Sequence, residues 1–165
     1  MIIETKIDSN KYLKLMFTMA YRKPTTIIPT IIGLIMILSS ILYFTGFNIP
    51  FDGPPHFVLV FGFFIVAILP FSIYRSAKNN YSSLGRLQEK IIYEFTDEKI
   101  VETGETFSSE MDWLDFYRIL ELNDWIILYN IDGSAIFIPK EAFSENINAF
   151  KDLVMHKDLE VKLRK

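Results

Sequence analysis

The 165-residue chain contains no cysteine. Disulfides, thiolate metal sites and cysteine nucleophiles are therefore excluded, and the absence fits a reducing compartment. It has only two histidines, His56 and His156, far apart in sequence, so a hydroxyl nucleophile lacks the usual base to activate it. The seven glycines are scattered singly, which leaves no glycine-rich phosphate loop, and no histidine pair or clustered acids show metal-ligand spacing. Bases are scarce between residues 94 and 145, where thirteen acids face three bases, Lys99, Arg118 and Lys140. An acidic body opposes nucleic-acid binding, which draws its affinity from neutralised phosphates.

Charge is also missing from residues 24–51 and 53–74, with Asp52 between them. About twenty apolar residues cross a hydrocarbon core of roughly 30 Å, so the pattern predicts a transmembrane hairpin with spans at about 26–46 and 55–74. Proline and glycine inside both stretches are compatible with membrane helices. The segment 46–55 is rich in glycine and proline and reads as a tight reversal. Basic residues stand at the ends of the hairpin, Arg22 and Lys23 before it and Arg75 and Lys78 after it. The positive-inside bias then places both termini in the cytoplasm and the short loop outside.

The rest of the chain divides around this hairpin. Residues 1–23 read as a short strand followed by a helix that Asp8-Ser9-Asn10 can cap. Residues 76–89 read as a polar connector, and residues 90–165 as a β-rich cytoplasmic domain with a C-terminal helix. In that domain apolar residues recur at every second position in six short segments, and Asp132-Gly133 marks a hairpin. Leu114, Phe116, Leu120 and Leu122 are read as one inward-facing series. Pro139 ends the last strand, because it cannot donate to a ladder, and Ser144 is placed to cap a helix starting at Glu145. In that helix Ile147, Phe150 and Val154 fall at helical spacing, with Phe143 before them as a staple. The expected fold class is α+β: a two-helix transmembrane hairpin and a small antiparallel sheet or partial barrel closed by a C-terminal helix. Counting the amino-terminal strand gives seven strands and a helix, as in pleckstrin-homology-type domains, by analogy of shape.

Three segments, Tyr93-Glu94-Phe95-Thr96-Asp97-Glu98-Lys99-Ile100, Trp113-Leu114-Asp115-Phe116 and Ile138-Pro139-Lys140-Glu141-Ala142-Phe143, resemble the YcxB-like family of bacterial membrane proteins. The order of parts is similar too. The resemblance implies a multi-pass protein of the bacterial cytoplasmic membrane whose activity is uncharacterised, and no catalytic residue carries over with it.

Without an activated nucleophile, a tuned base or a metal site, the expectation is a protein that is not an enzyme, takes no cofactor or small-molecule substrate and binds no nucleic acid. Large aromatics with a polar handle favour interfaces, and Trp113, Asp115, Tyr117, Trp125, Pro139 and Lys140 form the candidate partner interface. The same residues can instead be core and a strand-to-helix junction. Paired acids such as Asp112 and Asp115, or Glu121 and Asp124, read mostly as a solvated face. Three functions remain. One is a membrane-tethered binding, scaffolding or regulatory module for a protein partner or a second copy. Another is an inner-leaflet headgroup sensor using Arg75, Lys78, Arg86 and Lys90, and the last an immunity-type regulator of a membrane complex.

Overall fold

Alternating apolar residues give the first strand one buried face. In β1 (Ile2–Lys6), Ile3 and Thr5 are buried and their neighbours are not. β1 pairs antiparallel with β2 (Lys90–Phe95), setting Ile3 opposite Tyr93 and Thr5 opposite Ile91. β3 (Lys99–Thr103) and β4 (Ser108–Asp112) complete a four-stranded sheet in the order β1-β2-β3-β4. A second sheet holds β5 (Phe116–Glu121), β6 (Trp125–Asn130), β7 (Ala135–Pro139) and β8 (Glu160–Lys162), in the order β7-β6-β5-β8. This computed structural model describes residues 1–157 and 159–163.

All six expected strands are present, but they do not form one meander. The break comes where β4 ends in a tight helical turn, Trp113–Asp115, and β5 then carries a bulge between Phe116 and Arg118. Both sheets are open, so no barrel closes. β8 was not expected, and it lies parallel to β5. The Asp132-Gly133 hairpin does form. Gly133 takes φ +88° and donates to the Asn130 carbonyl at 3.1 Å, a conformation that glycine reaches without a Cβ clash.

The carboxy-terminal helix α4 (Ile147–Met155) supplies Phe150 and Val154, both fully buried, to a core shared with Phe95, Phe116, Ile126, Leu128, Ile138 and Phe143. Phe150 packs 4.8 Å from Phe143 and edge-on at 5.1 Å from Phe95, separations at which aromatic pairs add to simple burial. Ser144 does not cap this helix. It has φ 47° within the turn Lys140–Asn146, and its hydroxyl donates to the Glu141 carbonyl at 3.4 Å.

These strands and α4 make up one compact unit, Met1–Asp8 with Leu84–Lys165. The other unit is Ser9–Ser83. It contains α1 (Ser9–Ala20), α2 (Pro24–Phe44) and α3 (His56–Ser83). α2 and α3 are both long and apolar enough to cross a membrane. Their large apolar side chains are largely uncovered, with Leu38 59% and Phe57 92% exposed, unlike those of a buried core helix. The connector expected at 76–89 is mostly helix, because α3 continues to Ser83 before a short turn at Gly85–Gln88. At about 1.5 Å per residue, 28 residues reach about 42 Å, well beyond a 30 Å hydrocarbon core.

α2 and α3 touch at two glycines. A Cβ on Gly62 would lie 2.9 Å from the Gly33 carbonyl oxygen, and one on Gly33 would lie 3.2 Å from the Gly62 carbonyl oxygen. Small residues let apolar helices approach this closely where lipid gives no hydrophobic driving force between them. Gly62→Leu is expected to push the helices apart, widening the distance between spin labels on Leu38 and Phe57. Tryptophan emission should not change, since Trp113 and Trp125 both lie in the other unit. An unaltered label distance would show that the glycine contact does not set the spacing.

Candidate interaction site

The turn at Trp113–Asp115 is fixed from several sides. The Asp112 N–H donates to the Asp115 carboxylate at 2.9 Å, while the Asp112 side chain takes up the Asp115 N–H in return, which is a capping box on a single turn. The Trp113 indole donates to the Thr96 carbonyl at 2.9 Å and packs beside Phe95 and Phe116, and the Lys157 ammonium stands 5.6 Å from the ring centre. With Trp113 held inside, its neighbour Leu114 is 82% exposed. The Asp115 carbonyl accepts the Ile131 N–H at 2.8 Å and so draws the β6–β7 loop against this turn. Ile131 is 68% exposed. Tyr117, at the bulge, is half exposed, with its ring 6.1 Å from Tyr129.

Leu114, Tyr117 and Ile131 therefore present an apolar surface on adjoining turns, flanked by Asp112, Asp115 and Asp132. The Asp132 carboxyl is held below its usual range by the Ser134 hydroxyl and by the Ser134 N–H, 2.7 Å away, so Asp132 is charged at neutral pH.

Trp125, Pro139 and Lys140 lie elsewhere. Trp125 and Pro139 are register partners across β6 and β7 and are both buried. The Lys140 N–H donates to the Asp124 carbonyl at 3.0 Å. Its ammonium pairs with Glu121, which also receives Lys151 at 2.9 Å. Glu121 is only 4% exposed, so it does not belong to a solvated face. The bulge after Phe116 reverses the phase of β5, so that Ile119 and Glu121 turn inward and Leu120 does not. Leu114, the first of the expected inward series, points out for the reason given above.

The six candidate residues thus separate into the Trp113–Asp115 turn with Tyr117 and a buried Trp125–Pro139–Lys140 group. Sequence reasoning missed Leu114 and Ile131 as surface residues. A signal existed: Trp113 and Leu114 are consecutive, and in an alternating pattern two neighbours cannot share one face.

Glu102 is the other buried carboxylate, in the first sheet. Arg86 reaches it at 2.8 Å and the Tyr93 hydroxyl donates to it at 3.1 Å. Arg86 also lies 4.2 Å over the Phe107 ring, and Lys90 pairs with Glu4 at 2.8 Å. Two of the four bases assigned to headgroup sensing are therefore engaged inside the domain. His56 is exposed at the start of α3, and His156 follows α4. Asp158, two residues further on, lies outside the described residues. No group of three or more His, Asp or Glu able to hold a metal occurs among the described residues.

Comparison with known proteins adds one finding, bounded by two core residues, Phe95 and Val154. Residues 95–154 match the family model of the YcxB-like protein. The YcxB-like segment contains the Trp113 turn, both members of the Trp125–Pro139 pair and most of α4, and excludes the hairpin, β1 and β8. No curated protein and no solved structure matches the chain.

Removing one partner of a buried ion pair costs roughly 3–5 kcal/mol. Both lysines keep some exposure, so Glu121→Ala is expected to destabilise the strand-rich unit by about 3 kcal/mol, measured from tryptophan emission in urea. Lys140→Ala should cost less, because Lys151 still neutralises the carboxylate. Equal losses would mean that Lys151 does not compensate.

Burial, reinforced by the Glu102 charge and hydrogen bond, raises the Tyr93 phenol above its usual value. The folded state therefore keeps a proton that the unfolded chain releases near pH 10. This contribution is intact below pH 10 and declines as pH rises beyond it. Urea midpoints from pH 8 to 11 should fall in the parent and fall less steeply in Tyr93→Phe; parallel slopes would show that Tyr93 does not govern alkaline unfolding.

Proposed function

We propose that this is an integral membrane protein with both termini in the cytoplasm, whose YcxB-like domain docks a protein partner through Leu114, Tyr117 and Ile131. It acts as an adaptor or regulator and not as an enzyme. The observation that carries the reading is the exposed apolar surface itself: large side chains held outward by a braced turn, with an acidic rim. Charge complementarity selects a partner with an apolar centre and basic surroundings.

The membrane part of the reading is supported by the two exposed apolar helices and by strand pairing. β1 precedes both helices and β2 follows them, yet the two strands are hydrogen-bonded neighbours. Strands in one sheet lie on one side of a bilayer, so the number of crossings between them is even. The bases at the helix ends, with none in the loop, favour the cytoplasmic side. The domain, with α4 over two open sheets, is also proposed to be related in arrangement to pleckstrin-homology-type domains.

The absence of cysteine makes single-cysteine labelling unambiguous. In intact cells an impermeant maleimide should label Asp52→Cys and should reach Ser9→Cys only after lysis; the reverse pattern would overturn the orientation. In the same membranes, a photocrosslinker at Leu114 should give one discrete adduct that Ile131→Asp abolishes. An adduct indifferent to Ile131→Asp would remove the docking assignment.

A further inference from the structure

The reversal between the two apolar helices is poor in charge and rich in aromatic residues. Residues 43–57 include Tyr43, Phe44, Phe47, Phe51 and Phe57, and Asp52 is their one charge. Phe47 is 63% exposed and Phe57 almost wholly so. Apolar surface that continues into more of the same marks a contact surface, and this patch runs on into the uncovered Phe44 of α2 and Phe61 of α3.

The backbone of the segment is largely satisfied from within. α2 ends in a Schellman motif: the N–H of Gly46, at φ +90°, donates to the Tyr43 carbonyl at 3.1 Å, and that of Phe47 to the Leu42 carbonyl at 3.1 Å. The Thr45 hydroxyl donates to the same Leu42 carbonyl at 2.9 Å. Further on, Ile49 donates to the Phe47 carbonyl at 2.9 Å, Phe51 to that of Ile49 at 2.8 Å and His56 to that of Pro54 at 2.9 Å. Pro50, Pro54 and Pro55 have no N–H to satisfy. An N–H without a partner is costly away from water, and these bonds remove that cost from most of the segment.

The level of the segment follows from the glycine contact. Outward from Gly33, α2 runs eleven residues to Phe44, but outward from Gly62, α3 runs only six to His56. At about 1.5 Å per residue, α3 starts about 7 Å short of the end of α2. The chain therefore descends beside the last turn of α2, where ring contacts hold it: Phe51 lies 5.8 Å from Tyr43, and His56 5.3 Å from Phe44. The 21 residues of α2 reach about 31 Å, close to the thickness of a hydrocarbon core. Phe57, five residues out from Gly62, is level with Leu38, five residues out from Gly33, and so falls within the apolar span of α2.

We propose that residues 46–57 form a lipid-seated tip, folded back along α2 into the leaflet away from the termini, with Phe47 and Phe57 among the acyl chains and Asp52 at the water side. The proposal rests on the membrane-spanning reading above but not on partner docking. With one acid and no lysine or arginine, the tip offers nothing to an anionic headgroup. What it recognises is the apolar boundary of a phospholipid layer, which zwitterionic and anionic bilayers present alike.

The test uses full-length protein with one spin-labelled cysteine at a time, Leu38→Cys, Phe47→Cys, Asp52→Cys or Phe57→Cys, in phosphatidylcholine vesicles. Depth is read from collisions with oxygen, which concentrates among acyl chains, against those with a water-soluble nickel chelate. Labels at positions 38, 47 and 57 should favour oxygen and the label at 52 nickel, and position 57 should lie within one helical turn, ~5 Å, of the depth of position 38. Vesicles containing phosphatidylglycerol should give the same depths. Nickel-favoured collisions at 47 or 57, with oxygen favoured at 38, would put the tip in water and overturn the proposal alone. Nickel-favoured collisions at 38 as well would refute the spanning reading and the tip with it. Spectra at 47 or 57 that sharpen on dilution with unlabelled protein would assign the face to a second copy and overturn the lipid, and a depth reached only with phosphatidylglycerol would assign the tip to a headgroup and overturn the acyl-chain seat.

Discussion

The pairing of β1 with β2 constrains everything else in this molecule. Lys6 and Lys90 are register partners, so the entire helical unit is an insertion between two adjacent antiparallel strands. Closing a flexible loop of that length costs about 4 kcal/mol on logarithmic scaling. The insertion is not flexible, however. α2 and α3 return the chain antiparallel to itself through the Gly33–Gly62 contact, and much of the closure is thereby built into the helices.

Charge is partitioned along the same boundary. The strand-rich unit carries nineteen acids and eleven bases, and the helical unit one acid and six bases. Among the described residues of the strand-rich unit two carboxylates go inside, one per sheet, and each is paired: Glu102 with Arg86, Glu121 with Lys140 and Lys151. A buried charge without its partner is costly, whereas the complete set contributes little net stability. These groups act less as glue than as a penalty on any register that would separate them. Arg22, Lys23, Arg75 and Lys78, beside the apolar helices, have no such acid partner among the described residues.

Much of this was legible in the residues because it follows local rules. Apolar runs longer than eighteen residues marked both helices, two-residue periodicity marked six strands, and Asp132-Gly133 marked a hairpin that forms. The parts that were not legible depend on events between elements. One bulge at Phe116/Arg118 reversed the phase of β5, and with it the placing of Leu120 and Glu121. The braced turn at Trp113 split one expected meander into two sheets. α3 runs past its apolar stretch to Ser83, because helix propensity outlasts hydropathy there, and composition alone read that change as the end of the element. β8 pairs parallel to a strand some forty residues earlier, through three weakly patterned residues. In the interface candidate, residue type did not say which neighbour of Trp113 faces outward; that was decided by the indole bond to Thr96.

The place of β1 also sets an order of events in time. During synthesis β1 emerges first, but its partner is made more than eighty residues later, after both apolar helices have left the ribosome. Until then the first strand has an open edge and no sheet to join. The strand-rich unit can therefore be completed only on a chain whose two long helices have both been made. Closure of the first sheet is in this sense a late event that waits on the whole of the inserted segment, and it is made by five residue pairs of backbone.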